Sequence, residues 1–159
     1  FEGERKRIPI SELIKRHTDI NGTKDNEDYL LLGFYIKSLP AVSWANFEKY
    51  SPRAALDFPI MNLAVKYSKN EIGATVKIIV GAVAPTPVEL SNTETMIINE
   101  LDNLTGYGND IAELALAELT KKSQIIRETG ISLKAKRKTF NNITGEIRSL
   151  IGIVLSRNN

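Results

Sequence analysis

The order of the predicted elements constrains the fold of this chain most. Runs of alternating or continuous apolar residues predict strands at residues 29–39, 42–50, 60–67 and 75–83. One-sided apolar stripes with the period of a helix cover the rest of the chain, from Ser91 onwards. Because strands come first and helices follow without alternation, the chain is predicted to be α+β, with a small antiparallel sheet covered by helices on one face.

Local signals predict where the helices begin and end. Two pairs have the spacing of a capping box, in which each side chain bonds a free amide of the first turn: Ser91 with Glu94, and Asp110 with Glu113. The first of these helices is predicted to stop near Gly106 and Gly108, and a last helix to begin near Leu133.

The composition excludes several classes of site. The sequence has no cysteine and one histidine, His17, so thiolate metal sites, disulfides and multi-histidine sites are excluded. His17 lies in a polar run and is interpreted as an exposed residue of a loop or helix end. The net charge of +2 gives no reason to expect a nucleic-acid partner. No apolar run is long enough to span a bilayer, and without a targeting signal we expect a cytoplasmic protein.

Residues 1–40 are predicted to be an appendage to the main domain. Pro9 favours an extended conformation before it, and Ser11 is a candidate cap for one helical turn. A polar segment at residues 19–28 then precedes the first apolar run. Because the sequence starts at Phe1 and not at methionine, we expect it to continue a longer functional unit.

The densest mixture of aromatic and charged residues lies between residues 44 and 57. Aromatic faces beside fixed charges could hold a planar ligand or the edge of a cofactor. The alternative is a strand with ordinary core aromatics and a solvated tip. The members of this cluster are Trp44, Phe47, Glu48, Lys49, Tyr50, Ser51, Arg53 and Asp57.

Two further segments have both structural and functional interpretations. Residues 81–87 could form a backbone nest, but they lack the P-loop and dinucleotide signatures and fit a rigid connection after a strand. The basic run of Lys134, Lys136, Arg137 and Lys138 could meet phosphates or an acidic subunit, or be the solvated start of a helix.

Three segments resemble the FAD-binding subunit of molybdenum hydroxylases of the xanthine dehydrogenase and aerobic carbon monoxide dehydrogenase type. They are residues 49–58 (KYSPRAALDF), residues 81–88 (GAVAPTPV) and the basic ending at residues 131–138 (ISLKAKRK). Residues 1–40 resemble the end of the FAD-binding domain that precedes the C-terminal domain in that family, which residues 41–159 would form. The resemblance implies a three-stranded antiparallel sheet packed with helices.

The resemblance also implies a role and a set of site residues. In such enzymes FAD receives electrons from a molybdenum centre through iron–sulfur clusters and passes them to an external acceptor. No residue is implied to be catalytic, and no metal site is implied in this chain. The residues that the resemblance places near the flavin are Leu31, Leu32, Glu48, Lys49, Tyr50, Arg53 and Asp57.

The chain departs from the family in ways that bear on cofactor binding. Pro52 replaces a second arginine, and the glycine-rich segments that bind FAD are not found in this sequence. We therefore expect FAD to be held mainly by a separate portion, with molybdopterin and 2Fe-2S clusters in partner subunits of a hetero-oligomer. The chain would be part of an oxidoreductase that is not active alone. The alternative is a non-enzymatic interaction domain that docks a protein or nucleic acid through its basic terminal helix.

Overall fold

The computed structural model describes residues 4–18, 30–39, 42–51 and 59–124, together with residues 149 and 152. The chain divides into two units, Phe1–Lys37 and Ser38–Asn159. Arg53, Asp57 and the basic run at residues 134–138 lie outside the described residues, so the predictions for them stay predictions.

Among its described residues, the first unit contains the helix α1 (Ile10–Thr18). The carbonyl of Pro9 accepts hydrogen bonds from the amides of Glu12 and Leu13 at 3.0 and 3.2 Å. The predicted cap at Ser11 is therefore wrong, because the helix begins one residue before it. The helix also runs for two turns and not for one, and His17 lies in its last turn.

Residues 30–39 correct another prediction. A buried strand was expected here, but the segment has no regular secondary structure, and its large apolar side chains are exposed. Leu31 and Leu32 are 52% and 67% exposed. The apolar run shows that these side chains favour burial, whereas a strand also needs a neighbouring strand for its backbone hydrogen bonds.

Four strands form one antiparallel sheet in the second unit. They lie side by side in chain order: β1 (Val42–Tyr50), β2 (Met61–Asn70), β3 (Gly73–Gly81) and β4 (Val88–Glu89). The α+β class is confirmed, but the sheet has one strand more than the expected three. After the prolines at positions 85 and 87, Val88 and Glu89 still pair with Val80 and Ile79 of β3.

Alternation of side chains along the strands creates two different faces. On one face, the side chains of β2 and β3 are buried under the two helices that follow the sheet, α2 (Ser91–Asn99) and α3 (Leu104–Lys122). The buried residues of the two strands on this face are Met61, Leu63, Val65, Tyr67, Val76, Ile78 and Val80. We call the opposite side the outer face, which includes Phe47, Lys49, Asn62, Ala64, Lys66, Lys77 and Ile79.

The helix boundaries differ from those predicted. A short 3-10 turn, Leu101–Asn103, separates α2 from α3, and both Gly106 and Gly108 lie inside α3. The predicted stop at these glycines is wrong, because the tertiary contacts of Leu104, Ile111, Ala115 and Leu119 outweigh the weak helix propensity of the two glycines. The capping box at Asp110 is wrong as well, because that residue lies within the helix.

A two-residue turn at Glu71 and Ile72 joins β2 to β3. The Asn70 side chain closes it, since its Oδ1 accepts hydrogen bonds from the amides of Ile72 and Gly73 at 3.0 and 3.1 Å. Gly73 has a φ of +151°, which residues with a Cβ rarely adopt. The turn therefore requires glycine for its backbone conformation.

We expect Gly73→Ala to lower the free energy of unfolding by about 1–3 kcal/mol. Backbone strain is the reason, because a Cβ at this position would meet no atom within 4 Å. Gly108→Ala is the matched control, since it has equal space but helical backbone, and it should stabilise the protein by up to about 1 kcal/mol. Urea unfolding measures both, and equal effects of the two variants would contradict the explanation.

Candidate functional site

Strand β1 carries most of the predicted aromatic and charged cluster, but the side chains of these residues do not all lie on the same face of the sheet. Glu48 and Tyr50 pair with Leu63 and Met61, so they lie on the helix-covered face. Lys49 pairs with Asn62 and lies on the outer face. The structure therefore separates the three neighbouring site residues of β1 onto opposite sides of the sheet, because successive side chains of a strand alternate.

The two residues on the helix-covered side have structural contacts. The half-buried Tyr50 packs against the hydrophobic core, as does Trp44. The Oε1 atom of Glu48 accepts a hydrogen bond from Nδ2 of Asn46 at 3.1 Å, one step along the same face. The packing of Tyr50 and Trp44 holds β1 against the core, whereas the Glu48 bond lies within the strand.

The outer face places a cation beside an amide whose oxygen has no partner. The Oδ1 atom of Asn62 is buried and accepts no hydrogen bond from the residues that the structure describes. A buried acceptor without a donor costs free energy, but because this atom is buried, a donor from outside the sheet reaches it only if the groups that cover it move. Lys49, exposed on the adjacent strand, can supply a donor and a positive charge next to it. Of the two, the Lys49 side chain is the one exposed for a ligand to contact.

Arg53 and Asp57 lie outside the described residues. Leu31 and Leu32 belong to the first unit. Asn62 was missed by the sequence reasoning. The available signal was that it is the lone amide within the apolar run of β2.

The connection after β3, residues 81–88, contains another motif of the resemblance. Ala82 has a left-handed φ of 64°, which turns the chain away from β3. Val83 and Val88 are buried, and the carbonyl of Val83 accepts a hydrogen bond from the Gln124 amide at 2.8 Å. This segment is a packed connection from the sheet to the helices.

A second cluster of charged groups lies at the edge of β3. Glu94 of α2 is buried, and its Oε1 atom accepts a hydrogen bond from the Ile78 amide at 2.7 Å. Its Oε2 atom accepts one from Nζ of Lys77 at 3.0 Å, and Lys77 also donates to Glu89. The Glu89 and Glu94 carboxylates raise the pKa of Lys77, and the hydrogen bond from Lys77 lowers the pKa of Glu89. Glu94 thus fastens α2 to a strand edge, and the predicted capping box with Ser91 is wrong.

A third cluster caps α2 from a distant part of the chain. The residue before α2 is Leu90, whose apolar side chain cannot accept a hydrogen bond and so cannot cap the helix. Glu118 of α3 replaces such a cap, because it accepts hydrogen bonds from the amides of Asn92 and Thr93 at 3.3 and 3.1 Å. Lys122 donates to the same carboxylate at 2.6 Å. Burial alone would raise the pKa of Glu118, but the bonds from Lys122, Thr93 and Asn92 outweigh it and lower the pKa.

The buried carboxylates of Glu94 and Glu118 are structural. Within the part of the chain that the structure describes, no group of three or more acidic or histidine side chains could hold a metal ion. No helix among those residues is long and apolar enough to cross a membrane.

The fold is similar to that of one chain of a Cu,Mo-CO dehydrogenase. The crystal structure of a Cu,Mo-CO dehydrogenase in its cyanide-inactivated form matches with a TM-score of 0.50 and 17% sequence identity. The match covers 74% of this chain and 38% of that chain, so this chain spans less than half of its relative. At such identity the likeness shows the fold alone. A search of curated proteins found no match.

The family follows from the sequence match. The model of the CO dehydrogenase flavoprotein C-terminal domain matches residues 47–130, which are more than half of the 159 residues. The chain belongs to this family. The resemblance inferred from residues 49–58 and 81–88 is thereby confirmed, because both segments lie within the matched range.

Proposed function

We propose that this chain forms the C-terminal part of the FAD-binding, or medium, subunit of a molybdenum-dependent oxidoreductase of the CO dehydrogenase and xanthine dehydrogenase type. Its membership of the flavoprotein C-terminal domain family carries the proposal. The chain would take part in electron transfer from iron–sulfur clusters through FAD to an external acceptor. It would not be active alone.

The proposal includes the remaining parts of the assembly. Residues 1–40 would end the FAD-binding domain and residues 41–159 would form the C-terminal domain, in a cytoplasmic hetero-oligomer. A portion outside this chain would hold most of FAD, and partner subunits would hold the 2Fe-2S clusters and molybdopterin. The match covers only 38% of the similar CO dehydrogenase chain, which is therefore much longer than the matched part. This difference in length supports a further portion outside this chain.

The outer face supports a contact with the flavin through Lys49 and Asn62. FAD, when bound, would supply the redox chemistry, and this chain would supply binding and orientation. The exposed Lys49 ammonium would donate to a ring carbonyl, and the Asn62 oxygen would accept an N–H of the ring edge once the groups that cover it move aside. Four further residues stay candidates for a position near the flavin: Arg53, Asp57, Leu31 and Leu32. Glu48 and Tyr50, on the other face, would act by holding β1 in place.

The full-length flavin subunit, prepared with this chain in its natural place, tests the proposal. Its absorption spectrum should show flavin bands, and denaturation should release stoichiometric FAD. A subunit that is folded but colourless, and that binds no added FAD, would overturn the proposal.

We expect Lys49→Ala to weaken FAD binding by that subunit about tenfold or more, because a hydrogen bond from a charged group contributes roughly 1.5–3 kcal/mol. Fluorescence titration of FAD into the flavin-free subunit measures the change. Lys121→Ala, which removes an exposed lysine of α3, is the control and should bind FAD normally. Unchanged affinity in Lys49→Ala would remove Lys49 from the site while leaving the family assignment intact.

A further inference from the structure

Residues 30–36 form a contiguous exposed segment of the first unit. Six of these seven residues are large and aliphatic or aromatic, and each of the six is between 52% and 85% exposed. They are Leu30, Leu31, Leu32, Phe34, Tyr35 and Ile36. Single exposed apolar residues are common on protein surfaces, whereas a contiguous group of this kind typically marks a surface that another element covers.

The backbone of this segment is unpaired as well. Residues 30–36 have no regular secondary structure, and no backbone hydrogen bond joins them to another residue that the structure describes. Burial of the side chains would leave these amides and carbonyls without water, so they would need partners. A helix would pair them internally, but Gly33 weakens a helix interior, and the residues after it favour strands. A neighbouring strand is therefore the partner that fits the segment.

The two sides that the segment would have as a strand differ, because successive side chains of a strand point to opposite faces. Leu31, Tyr35 and Lys37 would share one face. The guanidinium carbon of Arg7 lies over the Tyr35 ring, 5.4 Å from its centre, so this face has a cation from its own unit. The other face would be wholly apolar and consists of Leu30, Leu32, Phe34 and Ile36. This apolar face needs a core to cover it.

We propose that residues 30–36 become a β-strand by pairing with a strand of the FAD-binding portion of the same polypeptide, outside residues 1–159. The four side chains of the apolar face then lie in the core of that portion, and Tyr35 stays beside Arg7. The inference rests on the proposed function, because it takes the partner strand from the portion that would hold most of FAD.

The occupant follows from length and from the way a strand pairs. The match to the similar CO dehydrogenase chain covers 38% of that chain, so a chain of this kind is long enough to include a further domain. A strand of the same polypeptide has a high effective concentration. A separate subunit would leave the apolar face exposed until assembly, which favours aggregation. A second copy would pair through the same segment and leave the outer edge of each strand open to further copies.

Amide hydrogen exchange in the full-length flavin subunit, purified without its partner subunits, tests the inference. We expect at least alternate amides of residues 30–36 to exchange about 100-fold or more slower than in an unfolded chain, at any protein concentration, because a paired strand opens rarely. Exchange as fast as in an unfolded chain would overturn the inference. Protection only at high protein concentration would indicate a second copy, and protection only in the complete assembly would indicate another subunit. Either result would overturn the inference too.

A photoreactive phenylalanine analogue in place of Phe34 identifies the partner strand. Irradiation of the full-length flavin subunit joins the probe to the groups that it contacts, and mass spectrometry locates them. We expect cross-links within a single polypeptide, to residues outside residues 1–159. Cross-links to residues within 1–159 or to another chain, or reaction of the probe with water alone, would contradict the proposal.

Phe34→Ala and Tyr35→Ala are a matched pair for the two faces, since they remove neighbouring exposed aromatic residues. Phe34→Ala should speed exchange of the protected amides about tenfold or more, because it leaves a cavity in the covering core. Tyr35→Ala should change it by less than about threefold, as is usual for surface substitutions. Equal effects would contradict burial of one face. FAD content of the same samples separates the two proposals: free exchange in a subunit that binds FAD contradicts this inference alone, and a protected segment without FAD binding contradicts the proposed function alone.

Discussion

Glu118→Ala should lower the free energy of unfolding by about 2–4 kcal/mol, since it leaves the first amides of α2 without an acceptor. Glu118 is 6% exposed and bonds the amides of Asn92 and Thr93 together with the Thr93 hydroxyl. Leu90 cannot compensate, because its side chain has no polar atom. The helix most affected would be α2, although the substitution lies on α3.

Urea unfolding measures this effect, with Glu113→Ala as the control. Glu113 lies on the same helix, five residues before Glu118, but is exposed, so its loss should change stability by less than about 0.5 kcal/mol. Equal effects of the two substitutions would show that Glu118 acts only through helix propensity and does not cap α2.

The pH dependence of Glu118 gives a second readout of the same contact. Its pKa in the folded protein is lowered from the ordinary 4.5. The ionised carboxylate therefore stabilises the fold above the pKa of the unfolded chain, and this contribution is lost as the pH falls through the folded pKa. The stability difference between the wild type and Glu118→Gln should be largest near neutral pH and shrink below about pH 4.5. A difference that does not change with pH would contradict the role of the charge.

Glu94→Ala should lower the free energy of unfolding by about 2–4 kcal/mol, because the Ile78 amide and Lys77 both lose their acceptor. Glu94 is 6% exposed, and its bond to the Ile78 amide lies at the edge of β3 beyond the two residues of β4. The Ile78 amide should exchange with solvent hydrogen at least tenfold faster in the variant, which hydrogen-exchange NMR measures at that residue.

Lys77→Met separates the two contacts of Glu94. It removes the ion pair but retains the bond to the Ile78 amide, and Lys77 is 55% exposed, so only about 0–1 kcal/mol should be lost. Glu94→Gln should likewise retain protection of the Ile78 amide. If Lys77→Met cost as much as Glu94→Ala, the ion pair and not the strand-edge bond would hold α2 in place.

Much of the sheet was predictable, because each of the longer strands shows a local pattern of alternating or continuous apolar residues. The alternation at residues 42–50 predicted β1 with the bounds that the structure has, and β2 and β3 were predicted with end shifts of a few residues. The turn between them is shorter than predicted, because Asn70 and Gly73 let the strands continue to its edge. The family could be identified because two short segments, residues 49–58 and 81–88, retain its motif.

The helix starts and the site were less predictable. Ser91 and Glu94 have capping-box spacing, but Glu94 bonds a strand and Glu118 caps the helix from 25 residues away. The capping-box rule considers only the backbone amides within one turn of one helix. In the folded protein, each of these carboxylates can accept hydrogen bonds from any donor that the fold brings near it. The same limit applies to residues 30–39, where an apolar pattern predicted burial that the described structure does not provide.

The sequence by itself determined the α+β class, the strands β1 to β3 and the family, since these depend on local periodicity and short motifs. Only the tertiary structure decided which side chains of β1 share a face, that Lys49 lies beside Asn62, and that Lys66 opposes Lys77. The physical reason is register, because moving a strand by one residue transfers every side chain to the other face. Register depends on packing against distant residues, and the local sequence does not specify those contacts.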